Sequence, residues 1–329
     1  MRRLAVGIGA AALSLLLLAL AGAAFGHSPR VLLEILVSGS IGSRFALEGT
    51  LLKSVPLLLT GLAVVIAFRA GVWNIGGEGQ FIVGALAAYL TSRFGTTAAL
   101  LAAAVAGALW ASIASLLRVW RNAPEVLTTI LLNFIAIHLL GYCVNGPLQE
   151  ASGQYPQSDP VPQAAALPLL GGSSLHAGIV VALLVTLASW WLLYRTREGL
   201  RLRATGFNPS AAQYAGVDVN AQIARAMALS GAVAGLAGAI ELLGVTHRLF
   251  ERVAAGYGYA GIAVALLAQL HPIATIAAAA FFGALATGAG ELQRSASISS
   301  SVATFGQAVV ILVLILFGSM RAFAPGRDE

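Results

Sequence analysis

Hydrophobic positions in this chain come in long blocks, without the alternation of a half-buried strand or the single apolar stripe of a soluble helix, and the blocks are closed by arginines, prolines and glycines. Blocks of this kind predict helices that cross a bilayer, at about 20 apolar residues per crossing. They fall at residues 4–25, 54–68, 80–91, 98–117, 125–144, 175–194, 223–245, 257–270, 273–289 and 302–320. The expected fold is all-α, a polytopic membrane protein of about ten transmembrane helices. Residues 27–53 mix Arg30, Glu34, Arg44, Glu48 and Lys53 with leucines and isoleucines, which predicts a short helix lying at the outer interface.

The pattern breaks most sharply after Phe68. The apolar run stops at Arg69 and passes through Gly71, Trp73, Asn74, Gly76, Gly77, Glu78, Gly79 and Gln80 before it resumes. Non-helical backbone at membrane depth survives only where protein or a water-filled cavity satisfies its N–H and C=O groups, so this stretch is expected to line a pathway. Trp73, Asn74, Glu78 and Gln80 are its candidate solute-pathway residues, joined by Asn133 from the 125–144 block. Each has a structural alternative. Glu78 also suits a helix cap paired with Arg69, Asn74 and Gln80 suit bonding to freed backbone, Trp73 suits an interfacial anchor, and Asn133 suits helix–helix glue. The short, glycine-interrupted blocks fall once in each half of the chain, as an internal repeat would place them.

Composition sharpens this picture. Of 329 residues, 58% are hydrophobic and 10% charged, and mean hydropathy is +0.86, so the bilayer takes over much of the role of a core. The 37 glycines suit close helix packing in lipid. The formal net charge of +6 is carried by arginines at block ends, which orient a membrane protein and imply no nucleic-acid partner. Placing twelve of the nineteen basic residues on one side gives cytoplasmic N and C termini. Residues 4–25 imitate a signal peptide but are long enough to span, and are expected as a retained first helix. The single cysteine, Cys143, excludes an internal disulfide.

Two loops follow from this topology. Residues 145–174, with five prolines and almost no charge, form the long extracytoplasmic loop, for which no regular structure is expected. Residues 195–222 form the main cytoplasmic loop, flanked by Arg195, Arg197, Arg201, Arg203 and Arg225. Within it Asn208, Pro209 and Ser210 read as a helix start and Ala211, Ala212, Gln213, Tyr214 and Ala215 as one short helix stopped by Gly216, suited to docking into a groove on a soluble partner. Glu241, near the outer end of its block, is expected to neutralise Arg248 or Arg252.

No lysine stands in a phosphate-binding loop, since the only one is Lys53 after Leu52, and neither a His-Glu-x-x-His pair nor a Gly-x-Ser-x-Gly elbow is present. The chain is therefore not expected to be an enzyme, and no catalytic or metal-binding residue is assigned.

The motif GVWNIGGEGQ at 71–80 closely resembles the signature of permease subunits of bacterial ABC importers in the branched-chain amino acid/ribose superfamily, nearest the nucleoside and simple-sugar branch. The resemblance continues through EVLTTILLN at 125–133, ATGFNPSAAQYAG at 204–216, SGAVAGLAG at 230–238 and GYAGIAVALL at 258–267. It implies a type-II-like importer permease, with the whole chain, 1–329, as one transmembrane permease domain in the cytoplasmic (inner) membrane. It further implies a second permease subunit (identical or different), two cytoplasmic ATPase subunits that use ATP and Mg, and an extracytoplasmic solute-binding protein or lipoprotein, with no cofactor held by this chain. Residues Asn208 to Ala215 would be the coupling helix on the ATPase, and transport would proceed by alternating access. Ala260 stands where such permeases commonly carry an acidic residue. The rival within transport is a proton-coupled secondary transporter using Glu78 or Glu241. A scaffold or sensor without flux is the other.

Overall fold

The structure, a computed structural model, describes residues 28–296. The spans expected at 4–25 and 302–320, with both termini, lie outside the described residues. Regular structure within them is helical, apart from the isolated bridges Gln157–Phe250 and Leu169–His176. The α-helices are α1 (Pro29–Ile41), α2 (Arg44–Arg69), α3 (Gly77–Thr91), α4 (Thr96–Arg121), α5 (Glu125–Val144), α6 (Gly178–Arg195), α7 (Arg197–Phe207), α8 (Pro209–Tyr214), α9 (Val219–Glu241), α10 (Tyr257–Leu267) and α11 (Ala274–Ala296). Six of these, α2, α4, α5, α6, α9 and α11, are long and apolar enough to cross a membrane. Helices α3 and α10 have 15 and 11 residues, about 22 and 16 Å at 1.5 Å per residue, so neither crosses alone. The described residues thus give a multi-pass helical protein of six membrane-length helices and five shorter ones.

The interfacial helix expected over 27–53 needs correction. Helix α1 ends at Ile41, and Ser43 opens a new helix by accepting a hydrogen bond from the Ala46 N–H at 3.1 Å. Helix α2 therefore runs unbroken from Arg44. The charges that made this region look interfacial are satisfied partly within their own helices, by the i,i+4 pairs Arg30–Glu34 and Arg44–Glu48, and partly at long range: Glu48 accepts from the Ser174 N–H at 3.0 Å and Lys53 donates to the Ala286 carbonyl at 2.9 Å.

Burial separates an inner set of helices from an outer one. In the most apolar stretch of α2, 78% of residues are buried and in α9 67%, against 28% in each of α4, α5 and α6. A helix buried on all sides needs no amphipathic stripe, and α2 is buried continuously from Ser54 to Ala67. The outer helices turn Leu101, Leu109, Phe134, Ile135 and Trp191 outward, which suits contact with lipid.

Helix α9 lies between α3 and α4 at backbone contact. A methyl group on Gly235 would collide with the Ala103 carbonyl, one on Gly231 with the Gly107 carbonyl, and one on Gly238 with the Phe81 carbonyl. Lipid tails are as apolar as leucine, so helices here gain mainly from dispersion at short range, and small residues make that range available.

The loop between α5 and α6 is ordered by the segment that follows α9. The Ser158 N–H donates to the Leu249 carbonyl, that of Val161 to His247 and that of Leu167 to Leu243, each at 2.9 Å. Arg248 pairs with Glu150 at 2.8 Å, so it does not neutralise Glu241 as expected. His176, 1% exposed, packs its ring where a side chain on Gly244 would stand, and its Nδ1 accepts from the Gly178 N–H at 3.1 Å. Burial, and then the nearby His247, push the His176 imidazole down from 6.5 to about 4.

Gly235→Leu is expected to cost about 1–3 kcal/mol or more through overpacking, read as a lowered unfolding midpoint of the purified protein in detergent; an unchanged midpoint would contradict backbone contact at α9. An unfolded chain takes up a proton at His176 near pH 6.5 and the folded one only near 4, so this histidine's contribution to stability is complete above 6.5 and is lost as pH falls towards 4. The acid side of the stability profile should flatten in His176→Gln, and an identical profile would count against the assignment.

Candidate functional site: a broken span and a half-helix capped at both ends

Helix α2 stops because Gly71 turns the chain with a φ of 72°, a left-handed geometry that suits glycine. The Ala67 carbonyl accepts from both Ala70 at 3.0 Å and Val72 at 3.1 Å, and the backbone then runs non-helically to Gly77. Inside a bilayer such a segment must find its partners within the protein. Asn74 supplies one set: its Oδ1 accepts from the Gly76 N–H at 2.9 Å and from Gln80 Nε2 at 2.9 Å. Its Nδ2 donates to Gln80 Oε1 at 3.0 Å and to Ser230 Oγ at 2.8 Å. Ser230 passes the chain on, donating to the Ala63 carbonyl at 2.6 Å.

Asn133 on α5 supplies the other set. Its Oδ1 accepts from the Gly79 N–H at 2.8 Å, and its Nδ2 donates to the Ile75 carbonyl at 2.9 Å and the Tyr259 hydroxyl at 3.3 Å. The break is thereby tied to α5, α9 and α10 at once.

Glu78 reaches across to α10. Its two carboxylate oxygens accept from the Gly256 N–H at 2.9 Å and the Gly258 N–H at 2.8 Å, which are first-turn donors that no residue within α10 can satisfy. A carboxylate at the positive end of a helix dipole is favourable. Gly258 is required there, because a side chain would strike the Glu78 backbone. At the far end of α10, Arg69 donates from Nε to the Leu270 carbonyl at 2.9 Å and from a terminal nitrogen to that of Gln269 at 3.3 Å. Both acceptor residues have left-handed backbone, with φ of 56° and 51°, a conformation uncommon outside glycine. Glu78 and Arg69 thus hold opposite ends of one half-helix, about 16 Å apart by its rise, and do not pair with each other. The carboxylate caps α10, a different helix from the one it begins.

Of the five candidate pathway residues, Trp73 is exposed, at 56%, with its ring 4.8 Å from that of Phe68. Asn74, Glu78, Gln80 and Asn133 are buried and bonded to protein. The structure brings those four together through the break itself. Ser230 and Tyr259 complete the network and were not singled out from sequence. Serine is common in apolar helices, and its role depends on Asn74 lying opposite.

At the other end of α6 from the 145–177 loop, the chain forms α7 and α8. Helix α7 was also missed, although Thr196, whose hydroxyl accepts from the Gly199 N–H at 3.0 Å, marks its start. Glu198 fixes it to α9: it accepts from Gln222 at 3.2 Å and Arg225 at 2.8 Å, and also pairs with Arg201. The Gln222 hydrogen bond, ahead of Arg201 and Arg225, holds its carboxyl below the ordinary range. Asn208 caps α8, accepting from the Ala211 N–H at 3.1 Å, with Pro209 in the first turn. Ala212 is buried, while Asn208, Pro209, Ser210, Ala211, Gln213, Tyr214 and Ala215 face outward. Phe207 and Tyr214 are 95% and 94% exposed. Just before them, Gly206 lies with its Cα 3.0 Å from the position of a side chain on Gly71.

This is a multi-pass membrane protein organised around a broken span. The chain belongs to the family described as "Branched-chain amino acid transport system / permease component", which matches residues 46–318. It is similar to the guanosine ABC transporter permease protein NupP of Bacillus subtilis, 36% identical over 89% of this chain and 86% of that one. It is also similar to the glucose ABC transporter permease protein TsgB13 of Haloferax volcanii, 34% identical over 87% and 80%. With the guanosine ABC transporter permease protein NupQ of Bacillus subtilis, identity is 30% over 71% and 78%. These relatives are transport permeases, and the chain is an ABC permease.

Replacing Glu78 by Gln leaves one acceptor where two N–H groups need a charge, and is expected to cost about 1–3 kcal/mol. It should lower the unfolding midpoint while uptake by correctly inserted protein persists. Unchanged stability with abolished uptake would instead place Glu78 in direct contact with solute.

Proposed function

We propose that this chain is one permease subunit of an ATP-driven importer that carries nucleosides, or related nucleobase or simple-sugar solutes, across the cytoplasmic membrane by alternating access. The solute class is supported by relatives named for guanosine, nucleosides and glucose. The observation that carries the ATP-driven reading is the short capped helix α8, held out by α7 with Phe207 and Tyr214 fully presented. Exposed aromatics at the edge of a membrane protein fit a groove on a soluble partner, where such residues dominate binding.

The assembly follows from this role. A second permease subunit is supported by one organism holding two guanosine permeases similar to this chain, NupP and NupQ. Two cytoplasmic ATPase subunits bind ATP and Mg and dock on residues 208–215, and an extracytoplasmic solute-binding protein or lipoprotein delivers solute. The whole chain then forms one permease domain of about ten crossings, with both termini cytoplasmic. Residues 195–222 form its coupling loop and 145–174 its extracytoplasmic loop. The polar residues of the break serve this machine by holding α10 in place, with Trp73 the exposed member.

Mechanistically, ATP binding closes the ATPase pair, α8 moves with it, and the permease bundles exchange between inward and outward openings. Solute shifts that equilibrium only by binding one state better than the other. Substituting both Phe207 and Tyr214 by Ala is expected to weaken ATPase binding roughly 30-fold or more, as loss of about 2 kcal/mol at a hot spot would, and to abolish uptake without affecting insertion. Uptake should survive a protonophore while ATP remains. Collapse under the protonophore with ATP intact would favour proton coupling instead.

A further inference from the structure

The buried carboxylates among the described residues are Glu78 and Glu241, and they are treated in opposite ways. Glu78 has backbone donors on both oxygens. Glu241, 7% exposed, has no side-chain hydrogen bond or ion pair among the described residues. Its backbone carbonyl accepts from the Thr246 hydroxyl. The nearest arginine in sequence, Arg248, is committed to Glu150 at 2.8 Å, and Arg69 is bound at the carboxyl end of α10.

Its surroundings are those of a junction. Glu241 ends α9 and is followed at once by a π-helical turn, Leu242–Thr246, a form that recurs at functional sites. One turn earlier, Gly238 touches Phe81 on α3. Tyr257, the first residue of α10, has its ring 6.0 Å from that of Phe81 on α3. The unpartnered carboxylate therefore sits at the head of the π-helical turn, one turn from the contact of α9 with α3.

An ionisable side chain within a membrane bundle without a partner is costly and marks function by default. A carboxylate only accepts, and its two oxygens take two adjacent donors. No group of three or more His, Cys, Asp or Glu among the described residues could hold a metal ion there. The missing donors then belong to something that passes. Nucleosides and simple sugars share one such feature, a pair of neighbouring hydroxyls.

We propose that Glu241 contacts the solute on the translocation path and reads a vicinal diol, its two carboxylate oxygens accepting the two hydroxyl protons. This rests on the importer reading above. The test is ATP-dependent uptake by the complete importer in vesicles, with guanosine compared with 2′,3′-dideoxyguanosine and glucose with 2,4-dideoxyglucose, which keeps no vicinal diol. The solute-binding protein is the same in every arm, so its own preference cancels between wild type and variant. E241Q is expected to lower uptake of the diol solute roughly tenfold or more, the scale of a lost charge-assisted pair, while uptake of the deoxy analogue changes little. Equal loss for both solutes, or unchanged discrimination, overturns the inference. Should E241Q fail to insert, E241D keeps the carboxylate on a shorter arm. Retained discrimination at a lower rate then supports the proposal, and lost discrimination overturns it. ATP-dependent uptake of another solute with no response to either diol probe overturns the inference and leaves the importer reading standing.

Discussion

A backbone that leaves its helix inside a bilayer has no water to turn to, and the structure depends on how that demand is met between Arg69 and Gly79. Asn74 and Asn133 close the hydrogen bonds of the break, and Glu78 spends its charge on the free amides of α10. Two unfavourable features, an unwound segment and a helix too short to span, each supply what the other lacks. Taking away either would leave buried polar groups without partners.

The same constraint shapes the packing around it. Polar contacts this short need helices held at close quarters, and Gly231, Gly235 and Gly238 bring α9 against α3 and α4 without intervening side chains. Ser230, next to that glycine row, is thereby placed to bond both Asn74 and Ala63. The small residues do not merely fill space. They set the distance at which the amide network closes.

Much of this could be read from residue order. The apolar blocks gave the long helices, and the glycine-rich stretch marked the break, because both are local properties of the chain. The helix at Asn208 was legible for the same reason, through its cap and its proline. Long-range pairing was not legible. Arg69 and Glu78 are near neighbours in sequence and looked like partners, whereas each serves a different end of a helix nearly 200 residues away. Arg248 likewise finds Glu150 across about a hundred residues in place of nearby Glu241. Glu48 and Lys53 disguised the start of α2, because they have partners in the 145–177 loop and α11.

The meeting of Gly71 and Gly206 has a mechanical side. Side chains absorb displacement by changing rotamer, but here main chain rests on main chain, at the first residue of the break and two residues before the α8 cap. A side chain at either glycine would therefore drive the presented helix and the unwound span apart.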